Sequence, residues 1–454
     1  MDHKEAFIIE GLAGEKSLRG TVSINGAKNA ALKAMAAAVL FDGKVTLENI
    51  PNTEDIHTLA EILRDLGAEV SWAKPDGAQQ GGPAEAERSH VLEIDASGIH
   101  STDIDPDLAG GMRGSVMLTG PMLARFGRVS FPSPGGCVIG VRPIDLFLAG
   151  YKKMGATVKE EKGCLYVIDA AKGLTGAENF FDKVTVGGTE TLMMAAILAK
   201  GKTILKNCAM EPEIVNEAEW LISCGAKITG VGTPTITIEG NGGKLLSPKV
   251  PFKAIPDRIE AGSYLILGAL CADELTIENC RPDHMEADIN ILTSAGVPVE
   301  IGKDYLKIKG NGKLPNKSFR PLADLRTHEY PGFSTDLQPQ VAVFLTQTNC
   351  ESRVFETIYE GRFKYVEDLQ KIGADITIMN SREILVKGPT ALKHLPDDEE
   401  LSARDIRAGF AMVMAALTAT GKFKINTIHL IDRGYERLEE KLKALGAKIE
   451  RLPA

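Results

Sequence analysis

The stretch EILRDLGAEVSW, residues 61–72, joins the end of a helical pattern to a β-type run through one glycine. Gly67 stands where a helix C′ residue takes a positive φ, a conformation that brings no Cβ clash for glycine. The β-branched and apolar residues after it suit a strand. The stretch therefore predicts a helix that ends at Gly67 and a strand that follows directly.

The same pattern occurs six times along the chain. The copies are EILRDLGAEVSW, GYKKMGATVKE, EWLISCGAKITG, ILTSAGVPVEI, DLQKIGADITI and KLKALGAKIER, with the glycine at Gly67, Gly155, Gly225, Gly296, Gly373 and Gly446. Successive glycines lie 70 to 88 residues apart, which is the signature of an internal repeat. The longest interval contains residues 73–90, rich in Gly, Ala, Pro and Gln, which we expect to form a surface loop between two strands.

A second helical element alternates with the first and is apolar on nearly every face. Its six copies lie at residues 25–40, 110–127, 187–201, 260–273, 334–348 and 405–421. Such helices are expected to be buried, whereas the glycine-ended helices carry the charges of a solvent face. Three repeats can surround three buried helices with three sheets. The predicted fold class is therefore α/β, with two domains of three repeated units each.

Composition excludes several classes of protein. The chain has 454 residues, a formal charge of −9 and a pI near 5.6, which argues against general nucleic-acid binding. No apolar run approaches the roughly 20 residues that cross a bilayer, and the start is charged where a secretory signal is apolar. We therefore expect a cytoplasmic protein with no nucleic-acid or membrane partner.

Cofactor motifs are missing from the sequence. The seven cysteines are dispersed without a CxxC pair, and the histidines form no HExxH. Neither GxxxxGK[ST] nor GxGxxG occurs. We therefore expect free thiols, no metal and no bound cofactor.

Cations lie near the predicted starts of the buried helices. They are Lys28, Arg113 and Arg407, with Arg362 and Arg433 after the corresponding strands. A helix N-terminus attracts anions, so this pattern favours a small, multiply anionic substrate. The alternative is that each of these residues only solvates the surface.

One loop differs from the rest of the chain. FPSPGGCVIGVRPIDL, residues 131–146, places Cys137 among glycines and prolines, five residues before Arg142. A cysteine in a glycine-rich loop near cations is expected to have a lowered pKa and to serve as an acid or nucleophile. The alternative is a small residue placed there by chance. The other six cysteines lie in helix or strand contexts and are expected to be packing residues.

Seven further motifs follow one another along the chain. They are GAKNAAL (26–32), PGGCVIGVRP (134–143), DRIEAGSYL (257–265), YPGFSTDLQPQ (330–340), EGRF (360–363), DIRAG (405–409) and IDRGYERLEEKL (431–442). Together they resemble the enolpyruvyl transferase family, in particular its members that act on UDP-N-acetylglucosamine. The resemblance implies two inside-out α/β domains, each of three repeated units packed around buried helices. It places residues 28–255 in one domain and residues 1–27 with 256–454 in the other. One departure is Gly361, where the family usually has Asn.

The resemblance also implies a reaction. The 3-hydroxyl of UDP-N-acetylglucosamine adds to C2 of phosphoenolpyruvate, C3 is protonated, and phosphate leaves. Asp336 matches the carboxylate that takes the hydroxyl proton, although its position also suits an N-cap of the fifth buried helix. Cys137 matches the general acid. The residues implied to bind phosphoenolpyruvate are Lys28, Asn29, Arg113, Arg142, Arg362, Arg407 and Arg433.

The nucleotide sugar would bind a second, overlapping set of residues. The resemblance implies Asn29, Arg113, Arg142, Pro143, Asp145, Leu146, Lys183, Thr185, Gly187, Asp336 and Ile358. Two alternatives remain open. One is the sister enzyme, enolpyruvylshikimate-phosphate synthase, which lacks the cysteine loop and the GAKNAAL start in this form. The other is a catalytically silent relative that binds a nucleotide sugar.

Overall fold

The chain forms two compact units. The computed structural model describes residues 5–73, 90–133, 144–161, 165–310, 313–314, 319–320, 322, 324–396 and 399–453. The central unit contains the described residues from Gly26 to Ile255, and the terminal unit combines those up to Asn25 with those from Pro256 onward. No helix in these ranges is both long and apolar enough to cross a membrane.

The central unit has three inner helices and three outer helices. Inner helices 1 to 3 are Lys28–Ala37, Thr119–Phe126 and Val186–Ile197, and outer helices 1 to 3 are Glu54–Asp65, Asp145–Lys153 and Pro212–Ser223. Short helical segments are Ala38–Leu40, Pro106–Gly110 and Arg113–Leu118. Its three sheets have the strand orders Phe252–Lys253, Val45–Glu48, Leu92–Asp95, Glu69–Trp72; Arg128–Pro132, Leu165–Asp169, Thr157–Glu161; and Lys227–Thr229, Thr235–Asn241, Lys200–Lys206, Glu178–Phe180.

The terminal unit repeats this plan. Inner helices 4 to 6 are Arg258–Cys271, Gln338–Leu345 and Ile406–Thr418, and outer helices 4 to 6 are Glu286–Ser294, Val366–Lys371 and Leu438–Ala444. Short helical segments are Pro282–His284, Thr335–Leu337 and His429–Asp432. The sheets are Leu401–Ser402, Lys422–Asn426, Ala6–Glu10, Ile449–Leu452; Val299–Ile301, Tyr305–Lys309, Ala272–Glu278, Leu18–Ser23; and Asp324–Arg326, Glu351–Phe355, Glu383–Lys387, Asp375–Asn380.

The six repeat glycines all adopt the backbone conformation that the sequence pattern requires. Their φ angles lie between +87° and +108°, for Gly67, Gly155, Gly225, Gly296, Gly373 and Gly446. At Gly67 the amide bonds to the carbonyl of Arg64, and the next amide bonds to Leu63, which closes the last turn of the helix. The chain can then enter the strand Glu69–Trp72 at once.

The inner helices are buried, and each unit has its own hydrophobic core. All eight residues of inner helix 5 and all thirteen of inner helix 6 are buried. This burial confirms the predicted α/β class with three buried helices and three sheets per unit. The expected surface loop falls mostly on residues 74–89, outside the described residues. The strands Glu69–Trp72 and Leu92–Asp95 on either side of it pair antiparallel.

A second repeated feature lies at the ends of four strands. Asn49, Asn207, Asn279 and Thr427 each follow directly on a strand, and their φ angles lie between +55° and +58°. Their side chains donate to the carbonyls of Ala254, Phe181, Ile24 and Ala403, at 2.6 to 2.9 Å. Each acceptor lies a few residues before an inner helix. The bond therefore fixes the segment that leads into that helix.

Candidate functional site

Asp336 of the terminal unit contacts two arginines from different repeats. Nη2 of Arg362 donates to Oδ1 at 3.0 Å, and Nε of Arg407 donates to Oδ2 at 3.3 Å. The two arginine side chains are 2% and 5% exposed, whereas that of Asp336 is 27% exposed. Three predicted site residues are thus brought together, and the carboxylate is the most accessible of them.

The alternative role of Asp336 as a helix cap is wrong. The N-cap of inner helix 5 is Leu337, and the N-cap of the short helix before it is Ser334, whose hydroxyl accepts from the Asp336 amide at 3.2 Å. Asp336 lies one residue inside the short helix Thr335–Leu337 that leads into inner helix 5. Its carboxylate is therefore available to the arginines.

Both arginines are held as cations by nearby acidic groups. Burial alone would lower the pKa of Arg362, but Asp336, followed by Asp405 and Glu356, raises it above its ordinary value. Burial also opposes the charge of Arg407, whose pKa is raised by Tyr435 and Asp336. The Arg407 guanidinium lies 5.1 Å from the centre of the Tyr435 ring. The pair therefore provides two fixed positive charges beside one carboxylate.

Some donors of this cluster are not used within the protein. In the part of the chain that the structure describes, buried Nε of Arg362 and Nη1 of Arg407 have no hydrogen-bond acceptor. Buried N–H groups of charged side chains are rarely left without one. Each of these two donors therefore calls for an acceptor from outside the described residues, and a water or an anion would supply one.

Glu356 is a site residue that the sequence analysis missed. It is fully buried and accepts from the Ile358 amide at 2.9 Å and the Tyr359 amide at 3.0 Å. It also accepts from the hydroxyl of Thr335, next to Asp336. Ile358, predicted to contact the nucleotide sugar, is thereby joined to the Asp336 cluster through one carboxylate.

The remaining predicted residue of this unit is Arg433. It is half-buried at the end of the short helix His429–Asp432. A Cβ built on the next residue, Gly434, would lie 3.6 Å from Nη1 of Arg407. The backbone at Arg433 therefore lies near the arginine cluster.

Gly361 does not weaken the anchoring of Arg362. Its φ is +78°, a conformation that glycine and asparagine adopt more readily than other residues. Either residue therefore suits this position. Arg362 is held in place by the Thr335 hydroxyl, which accepts from Nη1 at 2.7 Å, and by Asp336.

In the central unit, Lys28 begins inner helix 1 and is buried. Its ammonium lies 2.8 Å from Oδ2 of Asp55, in the first turn of outer helix 1. Asn29 follows and is half-buried. Among the described residues, no side chain caps this helix at its N-cap, Ala27. The sequence analysis did not predict Asp55 as the partner of Lys28.

The other predicted residues of the central unit lie at helix starts. Thr185 caps inner helix 3, and its hydroxyl accepts from the Gly188 amide at 3.1 Å. Lys183 and Gly187 beside it are exposed. A Cβ on Gly187 would meet no atom within 4 Å. The helix start is therefore open to a ligand.

Arg113, Asp145 and Leu146 complete the described part of the prediction. Arg113 begins the short helix Arg113–Leu118, which packs against inner helices 1 and 3. Asp145 and Leu146 begin outer helix 2. The predicted Cys137, Arg142 and Pro143 lie outside the described residues. Within the described ranges, no group of three or more His, Cys, Asp or Glu could hold a metal ion.

Comparison with protein families gives a match along most of the chain. Residues 12–442 match the EPSP synthase (3-phosphoshikimate 1-carboxyvinyltransferase) family. The chain is 42% identical over 441 residues to a protein of Desulforapulum autotrophicum named UDP-N-acetylglucosamine 1-carboxyvinyltransferase, covering 97% of this chain and 99% of that one. A protein of Wolinella succinogenes with the same name is 42% identical, covering 97% and 98%.

Solved structures show the same fold. The enolpyruvyl transferase NikO from Streptomyces tendae superposes with a TM-score of 0.85 at 24% identity, covering both chains completely. An EPSP synthase from Acinetobacter baumannii superposes with a TM-score of 0.66 at 16% identity, covering 99% of this chain and all of that one. At these identities, the similarity concerns the fold alone.

Proposed function

Because the chain belongs to the EPSP synthase family of enolpyruvyl transferases, we propose that it makes enolpyruvyl-UDP-N-acetylglucosamine. It transfers the enolpyruvyl group of phosphoenolpyruvate to the 3-hydroxyl of UDP-N-acetylglucosamine and releases phosphate, at the first committed step of peptidoglycan precursor synthesis. The observation that carries this proposal is the 42% identity, over nearly the whole chain, to relatives named for this activity.

Asp336 is proposed as the group that takes the proton of the sugar hydroxyl. Two guanidinium groups favour the ionised carboxylate, which is the form that accepts a proton. The side chain keeps partial exposure, so a substrate hydroxyl can approach it. As the proton moves to Asp336, the sugar oxygen bonds to C2 of phosphoenolpyruvate, and C3 takes a proton from the general acid, for which we propose Cys137.

The second half of the reaction removes phosphate. C3 gives up a proton, the C2–C3 double bond forms again, and the bond from C2 to the phosphate oxygen breaks. Charge-assisted bonds from Lys28, Arg113, Arg142 and Arg433 would neutralise the leaving phosphate and the retained carboxylate. The unused donors of Arg362 and Arg407 suit the same task.

Nucleotide-sugar binding is proposed for the helix starts of the central unit. The backbone N–H groups at the open start of inner helix 3, near Thr185 and Gly187, suit a diphosphate. Asn29, Asp145, Leu146 and Pro143 would border the sugar and the uridine. We also propose that the protein works in the cytoplasm, because the five described cysteines are free thiols.

Phosphate release tests the proposal directly. The protein mixed with phosphoenolpyruvate and UDP-N-acetylglucosamine should release inorganic phosphate and form the enolpyruvyl ether, seen by mass spectrometry. Shikimate 3-phosphate in place of the nucleotide sugar should give none. Asp336→Asn should lower turnover by about 10² to 10⁴. Asp273→Asn, which removes a surface carboxylate paired with Arg19, should not. Phosphate release that occurs with shikimate 3-phosphate as the acceptor, and not with UDP-N-acetylglucosamine, would contradict the proposal.

A further inference from the structure

Glu356 occupies a position that has a different residue in four other repeats. In those repeats the residue after the strand is Asn49, Asn207, Asn279 or Thr427, all with positive φ. The last residue of each strand accepts, through its carbonyl, from an amide of the segment that leads into an inner helix. Glu278 accepts from the Ile24 amide in this way, and Lys206 accepts from the Phe181 amide. The same bond runs from Thr327 to Phe355. Glu356 is therefore the equivalent of Asn279 and Asn207.

In this repeat, the residue after Glu356 makes the hydrogen bond that the asparagine makes in the other repeats. Thr357 donates through its hydroxyl to the carbonyl of Thr327, at 2.5 Å, which is the bond that the asparagines make elsewhere. Glu356 is thus not needed to hold the segment before inner helix 5. Asn49, Asn207 and Thr427 are half-buried and Asn279 is exposed, whereas Glu356 is fully buried. A buried carboxylate at this one copy of the repeat calls for another role.

The contacts of the two carboxylate oxygens indicate that role. Oε1 accepts from the amides of Ile358 and Tyr359 and from the Thr327 hydroxyl, at 2.9 to 3.0 Å. Oε2 accepts from the Thr335 hydroxyl at 2.8 Å. A buried charge is tolerated when it is hydrogen-bonded in this way, and Arg362 supplies positive charge nearby.

The hydroxyl of Thr335 connects Glu356 to Arg362 by two hydrogen bonds. Its hydroxyl has one hydrogen, and Glu356 accepts it, so an oxygen lone pair is turned to Nη1 of Arg362 at 2.7 Å. Nη2 of the same guanidinium donates to Asp336 at 3.0 Å. Because the guanidinium is a rigid plane, fixing Nη1 also fixes Nη2.

We propose that Glu356 is a positioning residue, which acts through Thr335 to hold Arg362 against Asp336 and so sets the orientation of the proton-accepting carboxylate. The inference rests on the proposed enolpyruvyl transfer. Glu356 exchanges no proton and touches no substrate in this role. A displacement of about 1 Å at a reacting group can lower a rate about a hundredfold, so the effect is expected in kcat.

Glu356→Gln is the sharpest test. The amide oxygen can still accept from Ile358 and Tyr359, but the NH₂ group cannot accept from Thr335. The Thr335 hydroxyl must then turn its hydrogen away from residue 356 and loses the acceptor that fixes its orientation, so Arg362 is held less firmly. We expect kcat to fall ten- to a hundredfold, with the KM for UDP-N-acetylglucosamine within about threefold. Glu260→Gln is the matched control, because Glu260 is also buried but pairs with Lys441; its kcat should stay near that of the wild type.

Thr335 variants decide whether the effect passes through that hydroxyl. Thr335→Val should reproduce the loss, Thr335→Ser should restore kcat, and adding Glu356→Gln to Thr335→Val should cause no further loss. The Thr335 pair still tests the inference if Glu356→Gln fails to fold. Unchanged kcat in Glu356→Gln, or multiplicative losses in the double variant, would overturn it.

A crystal structure gives a readout that does not depend on activity. In Glu356→Gln, Arg362 should be turned away from Thr335 and Asp336, and an unmoved guanidinium would overturn the inference. A wild-type protein that releases no phosphate would instead refute the proposed function, while this structural result would still decide the role of Glu356.

Discussion

Replacing the repeat glycines by alanine tests the positive φ with which each outer helix ends. Gly155 and Gly67 share the same repeat position, with φ of +95° and +107°. An L-residue in a left-handed conformation costs about 1–2 kcal/mol. At Gly155 this is the whole cost, because the nearest atom to a new Cβ is Oγ1 of Thr175, at 3.6 Å. Gly155→Ala should therefore destabilise the central unit by about 1–2 kcal/mol.

Gly67→Ala should be more destabilising. A Cβ there would lie 2.6 Å from the carbonyl oxygen of Gly98 and would also meet the ring of His100. The ring can move, but the carbonyl belongs to the backbone. Overpacking of this kind adds about 1–3 kcal/mol. We therefore expect a total of about 2–5 kcal/mol from the two effects.

Gly110→Ala is the matched control. A Cβ at Gly110 meets no atom within 4 Å, and the residue lies at the end of a short helix with ordinary φ. This change should leave stability unchanged or raise it by about 0.4–1 kcal/mol, because alanine restricts the unfolded chain.

Tryptophan fluorescence follows the central unit alone. The chain has two tryptophans, Trp72 and Trp220, and both lie in this unit. Trp220 is stacked on Phe41 at 4.9 Å, so its emission should change when the core opens. With a urea dependence of about 2 kcal/mol per molar, the midpoint should fall by about 0.5–1 M for Gly155→Ala and by more for Gly67→Ala. Equal midpoints for Gly155→Ala and the wild type would refute the argument from positive φ.

Three further predictions concern the site and the terminal unit. Lys28→Ala should nearly abolish phosphate release and lower the urea midpoint, because Asp55 loses its buried partner, while the unfolding transition still shows a folded central unit. Wild-type turnover would exclude Lys28 from the mechanism. Fosfomycin, an epoxide with a phosphonate, should alkylate Cys137 selectively, as peptide mass spectrometry would show, because burial raises the pKa of Cys208 and Cys280 to about 11. Burial also raises the pKa of Asp288 from 3.8 to about 7, so its contribution to stability is present below about pH 4 and is lost as pH rises through about 7. Asp288→Asn should therefore raise the melting temperature more at about pH 7.5 than at about pH 5, and calorimetry showing equal changes would contradict this reasoning.

Much of the fold could be predicted because its signals are local. A glycine at a helix end and a helix apolar on every face both depend on neighbouring residues. The strand-end asparagines were an equally local signal, visible in LENI, LKNC and IENC at 47–50, 205–208 and 277–280. The sequence analysis did not predict the turn at each of these asparagines.

The site was harder to predict because its partners are distant in sequence. Asp336 and Arg407 are 71 residues apart, and Lys28 and Asp55 are 27 apart. Asp336 and Arg407 stand at the same offset in consecutive copies of the buried helix, 334–348 and 405–421, but a repeat does not say that equivalent residues touch. Only the assembled repeats show these contacts. Glu356 shows a different difficulty, because FETI at 355–358 becomes unusual only when strand pairing aligns it with the asparagines of the other repeats.

Inner helix 1 is an element whose apolar pattern is a local signal and whose ion pairs join residues that are distant in sequence. It carries two buried lysines, and each pairs with a carboxylate from another helix: Lys28 with Asp55 at 2.8 Å, and Lys33 with Glu190 of inner helix 3 at 2.5 Å. Removing one partner of such a pair leaves a buried charge uncompensated, which typically costs about 3–5 kcal/mol. The two ion pairs therefore hold the helix in place from its side chains. Since no described side chain caps its N-terminus, the first-turn N–H groups are fixed in position without being used by a side-chain cap, which is an arrangement that favours anion binding.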